Sequence, residues 1–392
     1  MSLQTDTPIQ SKPKLTELAT VFFRLGAIAF GGPAAHIAMM DDEVVERRKW
    51  MTRDNLLDLI GVTNLLPGPN STELAIHIGY EHRGWRGLFV AGSCFILPAM
   101  SIVWLLAVLY VRWQTLPQLS WLMYGIKPIV MAIIVKALVK LGKKAIKNTY
   151  TINAGIIAIA GYFAGFNEVL LLVLLGIAVM LIENWHRDRT THGVFFFPFS
   201  GMLAQIGNTT TAIVSVTWGS VLLFFLKIGC VLYGSGYVLL AFLQRDLVEG
   251  NQWLTSQQLL DAVAIGQITP GPVLTTATFV GYLLAGNGGA IAGTVGIFLP
   301  AFLLVGIVNP WVAKLSQSSL ARGFLDGVNA ASLGLMAGVT FTLGHTALID
   351  WLTLILAILS AIAVFRYKIN PVWLVMIGGA IGFISNTIGL IG

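Results

Sequence analysis

Charged side chains are scarce in this chain. They make up only 11% of the 392 residues, while apolar side chains make up 56%. Because an ordinary soluble domain carries about 25% charged residues, this composition excludes a conventional soluble fold and predicts an integral membrane protein. A spanning helix needs roughly 20 apolar residues, and shorter apolar windows such as 151–163 predict tilted or partial crossings. The windows that are almost without charge are 87–111, 168–182, 212–226, 290–308 and 371–392.

Cysteine is almost absent too, which excludes a disulfide framework and a cysteine-based metal cluster. The two cysteines, Cys94 and Cys230, lie within apolar stretches and are interpreted as small packing residues. No segment matches the Gly-x-x-x-x-Gly-Lys-Ser/Thr loop that binds nucleotide phosphates, so direct use of ATP is not expected. The polar start, residues 1–16, precedes an apolar segment without a convincing cleavage site, so we expect no removable signal peptide. No cofactor is predicted.

The net charge of +6 does not indicate nucleic-acid binding. The basic residues lie in loops beside apolar spans, where the preference of cytoplasmic loops for Lys and Arg places them. The strongest cytoplasmic marker is the lysine-rich run Lys136–Lys147, whereas the equivalent stretch of the second half, 338–349, has no Lys or Arg. Conversely, residues 163–167 lack basic residues, while the matching turn holds Arg366 and Lys368. Equivalent loops are therefore predicted to face opposite sides of the membrane.

The chain contains an internal repeat. Shifting residues 24–72 by 203 positions onto 227–275 aligns identical or similar residues without a gap, including the two Pro-Gly-Pro triplets at 67–69 and 270–272. A Trp and an Asp share this register, which chance matching of apolar residues does not produce. We infer a gene duplication. The predicted parts are a polar tail at 1–16, a first repeat at 17–184, a linker at 185–211 and a second repeat at 212–392.

The repeats are predicted to have inverted topology. The charges of the loops are consistent along the chain only if 56–80 and 259–283 each enter and leave the membrane on one side. Pro-Gly-Pro splits each segment into pieces of about 11 residues, which are too short to cross alone at about 1.5 Å per residue. We therefore predict an all-α polytopic membrane protein with two inverted-topology repeats, each with about five crossings and a broken, re-entrant hairpin. This architecture is typical of secondary transporters.

The two Pro-Gly-Pro breaks are the predicted substrate site. Proline lacks an N–H and clashes with the preceding helical turn, so a break within the membrane is tolerated where it lines a cavity. Asn70-Ser71-Thr72 and Thr275-Thr276 follow the breaks and place amide and hydroxyl groups at the start of a new helix. Helix N-termini favour anions. The alternative, that these are ordinary caps and kinks that shape a bundle, stays open.

Ionisable residues near the breaks have two interpretations each. Glu73 either completes a capping box that begins at Asn70 or, because a carboxylate near an anion site is repulsive unless protonated, couples transport to a proton. Arg24 and Lys227 either face the cavity and supply one cation per repeat, or anchor their helices near the membrane interface. The first alternative predicts that Lys227→Gln abolishes transport while the protein remains in the membrane.

Three other polar residues have less specific patterns. His36 is expected to be a polar packing residue rather than a metal ligand, because no second His, Cys or carboxylate lies at ligand spacing in its segment. Asp58 and Asp261, which match in the repeat, are either hairpin caps or gating residues. No metal site is predicted.

Two sets of motifs resemble the chromate ion transporter family, over nearly the whole chain. In the first half, Phe30-Gly31-Gly32-Pro33 is followed by His36 and by the run Leu66–Leu74, which reads LPGPNSTEL. The second half agrees at Tyr233–Tyr237 and Gly266–Pro272. The chain is similar to the long members, in which two homologous halves are fused. The resemblance implies export of chromate across the bacterial cytoplasmic membrane, chromate resistance, and sulfate as a structural mimic and competitor.

The predicted substrate-binding residues line the two breaks and the segments around them, and Glu73 is the candidate for proton coupling. The expected partners are chromate, sulfate and the lipid bilayer, without nucleic acid, and a homodimer is left open. The candidates of the first half are Arg24, Gly31, Gly32, Pro33, His36, Asn64, Pro67, Gly68, Pro69, Asn70, Ser71 and Thr72. Those of the second half are Lys227, Gly234, Ser235, Gln267, Thr269, Pro270, Gly271, Pro272, Thr275 and Thr276.

Two other functions compete with chromate export. A membrane-embedded enzyme that acts on a lipid or a small oxyanion, for instance a reductase, needs a redox cofactor, a metal cluster or a paired nucleophile and base, and the sequence offers none. An uptake or exchange transporter for sulfate or another tetrahedral anion shares the predicted architecture, and this alternative stays open.

Overall fold

The computed structural model describes residues 13–187, 216–233, 236–309, 318–367 and 369–388. Within these ranges the chain is helical and forms no strand. Most of the predicted tail and linker, the candidates Gly234 and Ser235, and the basic residue Lys368 lie outside the described residues.

The described residues form seven α-helices in each half of the chain. Those of the first half are α1 Leu15–Ile28, α2 Pro33–Asp41, α3 Arg53–Thr63, α4 Asn70–Trp113, α5 Pro117–Ala145, α6 Thr149–Phe163 and α7 Glu168–Arg187. Those described in the second half are α8 Trp218–Val231, α9 Leu239–Phe242, α10 Ser256–Ile268, α11 Thr276–Val308, α12 Ser319–Ala347, α13 Trp351–Arg366 and α14 Pro371–Thr387. Short π-helical segments, Asp42–Arg47 and Leu243–Gly250, extend α2 and α9.

Matched residues begin matched helices in the two halves. Thr52 caps α3 and Thr255 caps α10, and each side chain accepts a hydrogen bond from the backbone N–H three residues later. Asn148 and Asp350 cap α6 and α13 in the same way. Such caps satisfy N–H groups that the first helical turn leaves unpaired, so the repeated residues specify repeated helix boundaries.

Each long helix, α4 and α11, reverses direction near its start. Arg83 and Gly84 have non-helical backbone angles, as do Ala285 and Gly286, and the two glycines have φ values of 57° and 58°. A Cβ built on Gly79 would lie 2.3 Å from the carbonyl oxygen of Gly87, although eight residues of straight helix span about 12 Å. Each element is therefore a helical hairpin, with a short inner arm (70–82 or 276–284) and a long outer arm (85–113 or 287–308).

Within the part of the chain that the structure describes, five helical segments are long and apolar enough to cross a membrane. They are Asn70–Trp113, Pro117–Ala145, Glu168–Trp185, Val273–Val308 and Ser319–Ala347, and shorter apolar helices include α8, α13 and α14. Large apolar side chains on these helices face outwards, for example Leu105 and Phe341, as contact with lipid requires. The prediction of an all-α polytopic membrane protein is confirmed.

The two halves are intertwined through close helix contacts at glycine. A Cβ on Gly125 of α5 would lie 2.0 Å from the carbonyl oxygen of Gly378 in α14. In the matching contact, a Cβ on Gly327 of α12 would lie 2.8 Å from the Cα of Gly176 in α7. Small residues let helix backbones approach within a membrane, where van der Waals packing drives association. Each half therefore supplies the packing partner of a long helix in the other.

The outer arms of α4 and α11 run antiparallel against each other. The Trp85 ring packs against Gly306, and the Trp104 Nε1–H donates to Asn287 Oδ1 at 3.1 Å. Beyond a one-residue slip the repeat continues at an offset of 202 positions, as Ile96–Ala99 and Phe298–Ala301 show. Trp85 then matches Asn287, and Trp104 matches Gly306, so the two contacts are equivalent. Reciprocal contacts of this kind accompany a two-fold relationship between halves. The inverted topology and the boundaries at 17–184 and 212–392 stay predictions, and these contacts support the former.

Candidate functional site

The two Pro-Gly-Pro triplets contact each other's half of the protein. The Gly68 N–H donates to the carbonyl oxygen of Leu232 at 2.7 Å, and the Gly271 N–H donates to that of Ala29 at 2.8 Å. Ala29 and Leu232 are the C-terminal caps of α1 and α8. A helix end leaves its last carbonyl groups without partners in the helix, and the break in the other half supplies one. The two breaks and two helix ends therefore form one central cluster, which we call the central break.

Glycine is required at the middle of both triplets. Gly68 and Gly271 have φ values of 145° and 86°, which side-chain-bearing residues rarely adopt. A Cβ on Gly68 would lie 2.4 Å from Glu73 Oε1, and a Cβ on Gly271 would lie 2.6 Å from Ala99 Cβ. All residues of both triplets are buried. The backbone at the central break is therefore closely packed on both sides.

Within the central break, His36 links the C-terminal end of α1 to the start of α4. Its Nε2 lies 3.1 Å from the carbonyl oxygen of Ala29, and its Nδ1 lies 3.1 Å from Ser71 Oγ. A carbonyl oxygen only accepts, so Nε2 carries the proton, and Nδ1 accepts from the Ser71 hydroxyl. Ala29 thus accepts from both His36 and Gly271. The ring is 1% exposed, and no metal-binding group of His, Cys, Asp or Glu is found among the described residues.

Glu73 is fully buried in the first turn of α4, and its surroundings exclude the capping box. Pro69 is the N-cap and makes no side-chain cap bond, while the Asn70 amide donates to Asn64 Oδ1 at 2.7 Å. The capping-box interpretation is therefore wrong, because the helix begins at Asn70 itself and that side chain turns towards Asn64. Neither oxygen of the Glu73 carboxyl, nor the Thr72 hydroxyl, has a hydrogen-bond partner among the described residues.

The threonine hydroxyls of the second break are satisfied locally. The Thr275 and Thr276 hydroxyls donate to the carbonyl oxygens of Pro272 and Val273, both at 2.8 Å. The Thr269 hydroxyl donates to Gly266 O at 3.3 Å. Gln267 accepts from the Tyr237 hydroxyl at 3.0 Å, and its buried Nε2 has no partner among the described residues. The two halves therefore match in backbone but differ in side-chain chemistry.

The matched cations Arg24 and Lys227 have different surroundings. Lys227 Nζ lies 3.0 Å from Asp246 Oδ2, and these side chains are 27% and 21% exposed. Arg24 is exposed, and no ion pair of its side chain is found in the described part of the chain. The residue that matches Asp246 is Glu43, which pairs with Arg48 at 2.7 Å. The charge pair of the second half is therefore not repeated in the first.

The matched aspartates also differ. Asp58 is exposed on α3, whereas Asp261 is buried on α10, where Lys127 Nζ lies 3.0 Å from its Oδ1 and the Tyr110 hydroxyl donates to its Oδ2 at 2.7 Å. Lys127 also donates to Gln257 Oε1. Lys127 and Tyr110 were not predicted as site residues from the sequence, although a lysine inside an apolar run indicates a functional site by default. The pair lies in a cavity of about 370 Å³.

Broken helices that meet inside a bundle of membrane-spanning helices are typical of membrane transporters. The comparisons with known proteins agree with this class. A family model described as "Chromate transporter" matches residues 16–182 and again residues 219–383. The chain belongs to the chromate transporter family, and its two matched segments coincide with the two halves. Membership indicates transport rather than catalysis and, with the apolar spanning helices, a multi-pass protein of the bacterial inner membrane.

Curated relatives align over most of the chain. The "Chromate transport protein" of Cupriavidus metallidurans is 31% identical over 362 residues, which are 90% of this chain and 88% of the relative. The "Chromate transport protein" of Pseudomonas aeruginosa is 30% identical over 403 aligned positions, which cover 98% of this chain and 96% of the relative. The "Probable chromate transport protein" of Synechococcus elongatus is 30% identical over 362 residues, with 90% of each covered. No solved structure matches.

Proposed function

We propose that this protein is a secondary transporter that exports chromate from the cytoplasm and confers chromate resistance, with its substrate site at the central break. The observation that carries the proposal is the reciprocal pair of hydrogen bonds from Gly68 to Leu232 and from Gly271 to Ala29. These bonds bring the starts of the inner arms of α4 and α11 to one buried place. Membership in the chromate transporter family supports the substrate.

The chemistry of the central break suits a tetrahedral anion. In α4 the N–H groups of Asn70 and Ser71 precede the first bonds of the helix, which Thr72 and Glu73 donate to Pro69 O, and a helix N-terminus carries about half a positive charge. In α4 these N–H groups are followed by the Thr72 hydroxyl, which has no partner among the described residues. In α11, the Nε2 group of nearby Gln267 is a further buried donor without a described partner. Backbone N–H, hydroxyl and amide groups are the donors that bind oxyanions at helix termini.

The membrane potential favours export. Moving one charge across a potential of 100 mV is worth about 2.3 kcal/mol, so a dianion that leaves a negative interior gains about 4.6 kcal/mol. At about 1.4 kcal/mol per tenfold, this corresponds to a gradient on the order of a thousandfold. Uncoupled exit therefore runs downhill, while uptake of the same dianion needs a coupled ion.

Glu73 is the residue through which we propose that a proton enters the cycle. Its carboxyl lies against the backbone of Gly68, next to the proposed anion site, and is fully buried. A charged carboxylate there would repel the anion and would be buried without a partner, which is costly in both respects. Protonation of Glu73 therefore accompanies occupation of the central break by the anion.

The test is radiolabelled chromate flux in proteoliposomes of known orientation, under an imposed membrane potential or pH gradient. We expect flux from the cytoplasmic face to the external face. A potential that is negative on the cytoplasmic face should drive this flux, and excess sulfate should inhibit it. The dependence of the flux on each gradient identifies the coupling. Chromate flux without a response to sulfate would contradict a shared tetrahedral-anion site. Absence of chromate flux while sulfate flux persists would assign the same site to sulfate uptake or exchange.

A further inference from the structure

The cavity of about 370 Å³ lies apart from the central break, and eight of the twelve residues that line it are polar. Lys127 of α5 and Asp261 of α10 lie at its base, with the lysine side chain 11% exposed. Near its mouth are Gln114 and Ser120, from the junction of α4 and α5, and Thr346, from the end of α12. The predicted orientation places this end of the molecule outside the cytoplasm. The cavity is therefore a polar recess that leads inwards to one buried cation.

The recess is connected to the central break through α10 and α11. Asp261 precedes Pro270 by nine residues, which corresponds to about 13 Å along a helix. Tyr110, in the wall of the recess, packs edge-on against Phe279 of the inner arm of α11, with ring centroids 5.2 Å apart. The recess with Lys127 therefore lies between the central break and this end of the molecule.

We propose that this recess is a second binding site for a tetrahedral oxyanion, in which Lys127 binds the anion and Asp261 competes with the anion for that lysine. The inference rests on the proposed function for its place on the transport path. The volume of the recess equals that of roughly a dozen water molecules at about 30 Å³ each, so a partly hydrated oxyanion fits. The side chains of Gln114 and Thr346 make no hydrogen bond to a described residue and supply additional donors.

A purely structural ion pair is the weaker explanation. Burying a lysine and an aspartate costs more free energy than burying a well-packed apolar pair of similar volume, so burial of an ion pair is not by itself stabilising. The repeat-equivalent positions lack the pair, since Asp58, which matches Asp261, is exposed, and Asn329 stands in the second half where Lys127 stands in the first. The repeat therefore does not need this pair to fold its equivalent helices. The pair occurs where a polar recess opens towards it.

Competition between Asp261 and the anion gives a directional prediction. Asp261→Asn removes the carboxylate that occupies Lys127 and repels the anion, so the site gains affinity by about tenfold or more. Lys127→Gln removes the cation and abolishes binding in the recess. The double variant Lys127→Gln/Asp261→Asn leaves no buried charge uncompensated and serves as the folded control without an anion site.

A reporter in the recess separates this site from the central break. Ser120→Cys is introduced into the full-length protein after Cys94 and Cys230 are replaced by alanine, and an uncharged, water-soluble maleimide then modifies the new thiol. Sulfate is titrated at constant ionic strength against chloride, and the rate of modification is measured. In the parent, which carries only Ser120→Cys and the two cysteine replacements, we expect sulfate to slow the modification. When Asp261→Asn is added, about a tenth of that sulfate concentration should slow it equally.

The controls make the outcomes distinct. We expect no protection by sulfate in Lys127→Gln or in the double variant. Equal protection in these variants, or no protection in both the parent and Asp261→Asn, would overturn the proposal. Gly271→Ala, which disturbs the central break, is expected to retain protection. Loss of chromate flux in the parent with sulfate protection intact would refute chromate export and leave the second site standing.

Discussion

The Gly68 N–H of the first half donates to the carbonyl oxygen of Leu232 in the second half, at 2.7 Å. The repeat produces the same bond in reverse, from Gly271 to Ala29 at 2.8 Å. Each helix break is therefore held by the helix end of the other half. Because a buried backbone group without a partner is costly, neither half retains the geometry of its break when the other half moves away.

Gly271→Ala is expected to impair transport through strain at the central break. Gly271 has φ of 86°, and a Cβ there would lie 2.6 Å from Ala99 Cβ. A residue forced into such a conformation costs about 1–3 kcal/mol. This corresponds to a decrease of about fivefold to a hundredfold in the population of the intact break. Chromate flux in proteoliposomes, normalised to the amount of inserted protein, measures the effect.

Gly61→Ala on α3 is the matched control. Gly61 is helical, and a Cβ there would meet nothing within 4 Å. Replacing a helical glycine by alanine stabilises by about 0.5–1 kcal/mol, so flux should be unchanged or slightly higher. Equal flux in Gly271→Ala and the parent would show that the break does not need a tight backbone.

Cross-linking of Cys residues at Phe89 and Phe302 with a short bifunctional thiol reagent tests the antiparallel packing of the outer arms. The two rings are stacked with centroids 5.7 Å apart, so Phe89→Cys/Phe302→Cys should cross-link after the native cysteines are removed. Phe89→Cys/Asn287→Cys should not, because Asn287 contacts Trp104, which lies about 22 Å along α4 from Phe89. Mobility on a non-reducing gel reads out both pairs. The reverse pattern would contradict the antiparallel arrangement, and with it the inverted topology.

The sequence was most informative where backbone chemistry repeats. Pro-Gly-Pro and the threonine caps Thr52 and Thr255 specify helix ends from local physics, so both breaks and their flanking helices could be predicted. The partner of each break could not, because a hydrogen bond from Gly68 to Leu232 depends on how two distant segments pack. Side chains diverged between the halves, so the repeat did not reveal that Asp261 is buried with Lys127 while Asp58 is exposed.

Lys227 is expected to act through its ion pair with Asp246. The pair is partly exposed, so it is worth about 1 kcal/mol or less. Lys227→Gln and Asp246→Asn should therefore lower the thermal midpoint by similar small amounts, and the double variant should recover part of the loss. Thermal unfolding in detergent, together with chromate flux, gives the comparison. If Lys227→Gln abolishes flux at unchanged stability while Asp246→Asn remains active, Lys227 contacts the anion directly.

Glu73→Gln is expected to separate the response to a pH gradient from the response to membrane potential. The glutamine keeps the shape of the protonated acid against Gly68 but cannot exchange a proton. Chromate flux driven by the potential should persist, while stimulation by an imposed pH gradient should disappear. Glu81→Gln, which changes an exposed carboxylate at the end of the same inner arm, should respond to both gradients as the parent does. If Glu73→Gln keeps the full response to the pH gradient, the coupled proton is carried elsewhere, and the buried carboxyl serves only to pack against the break.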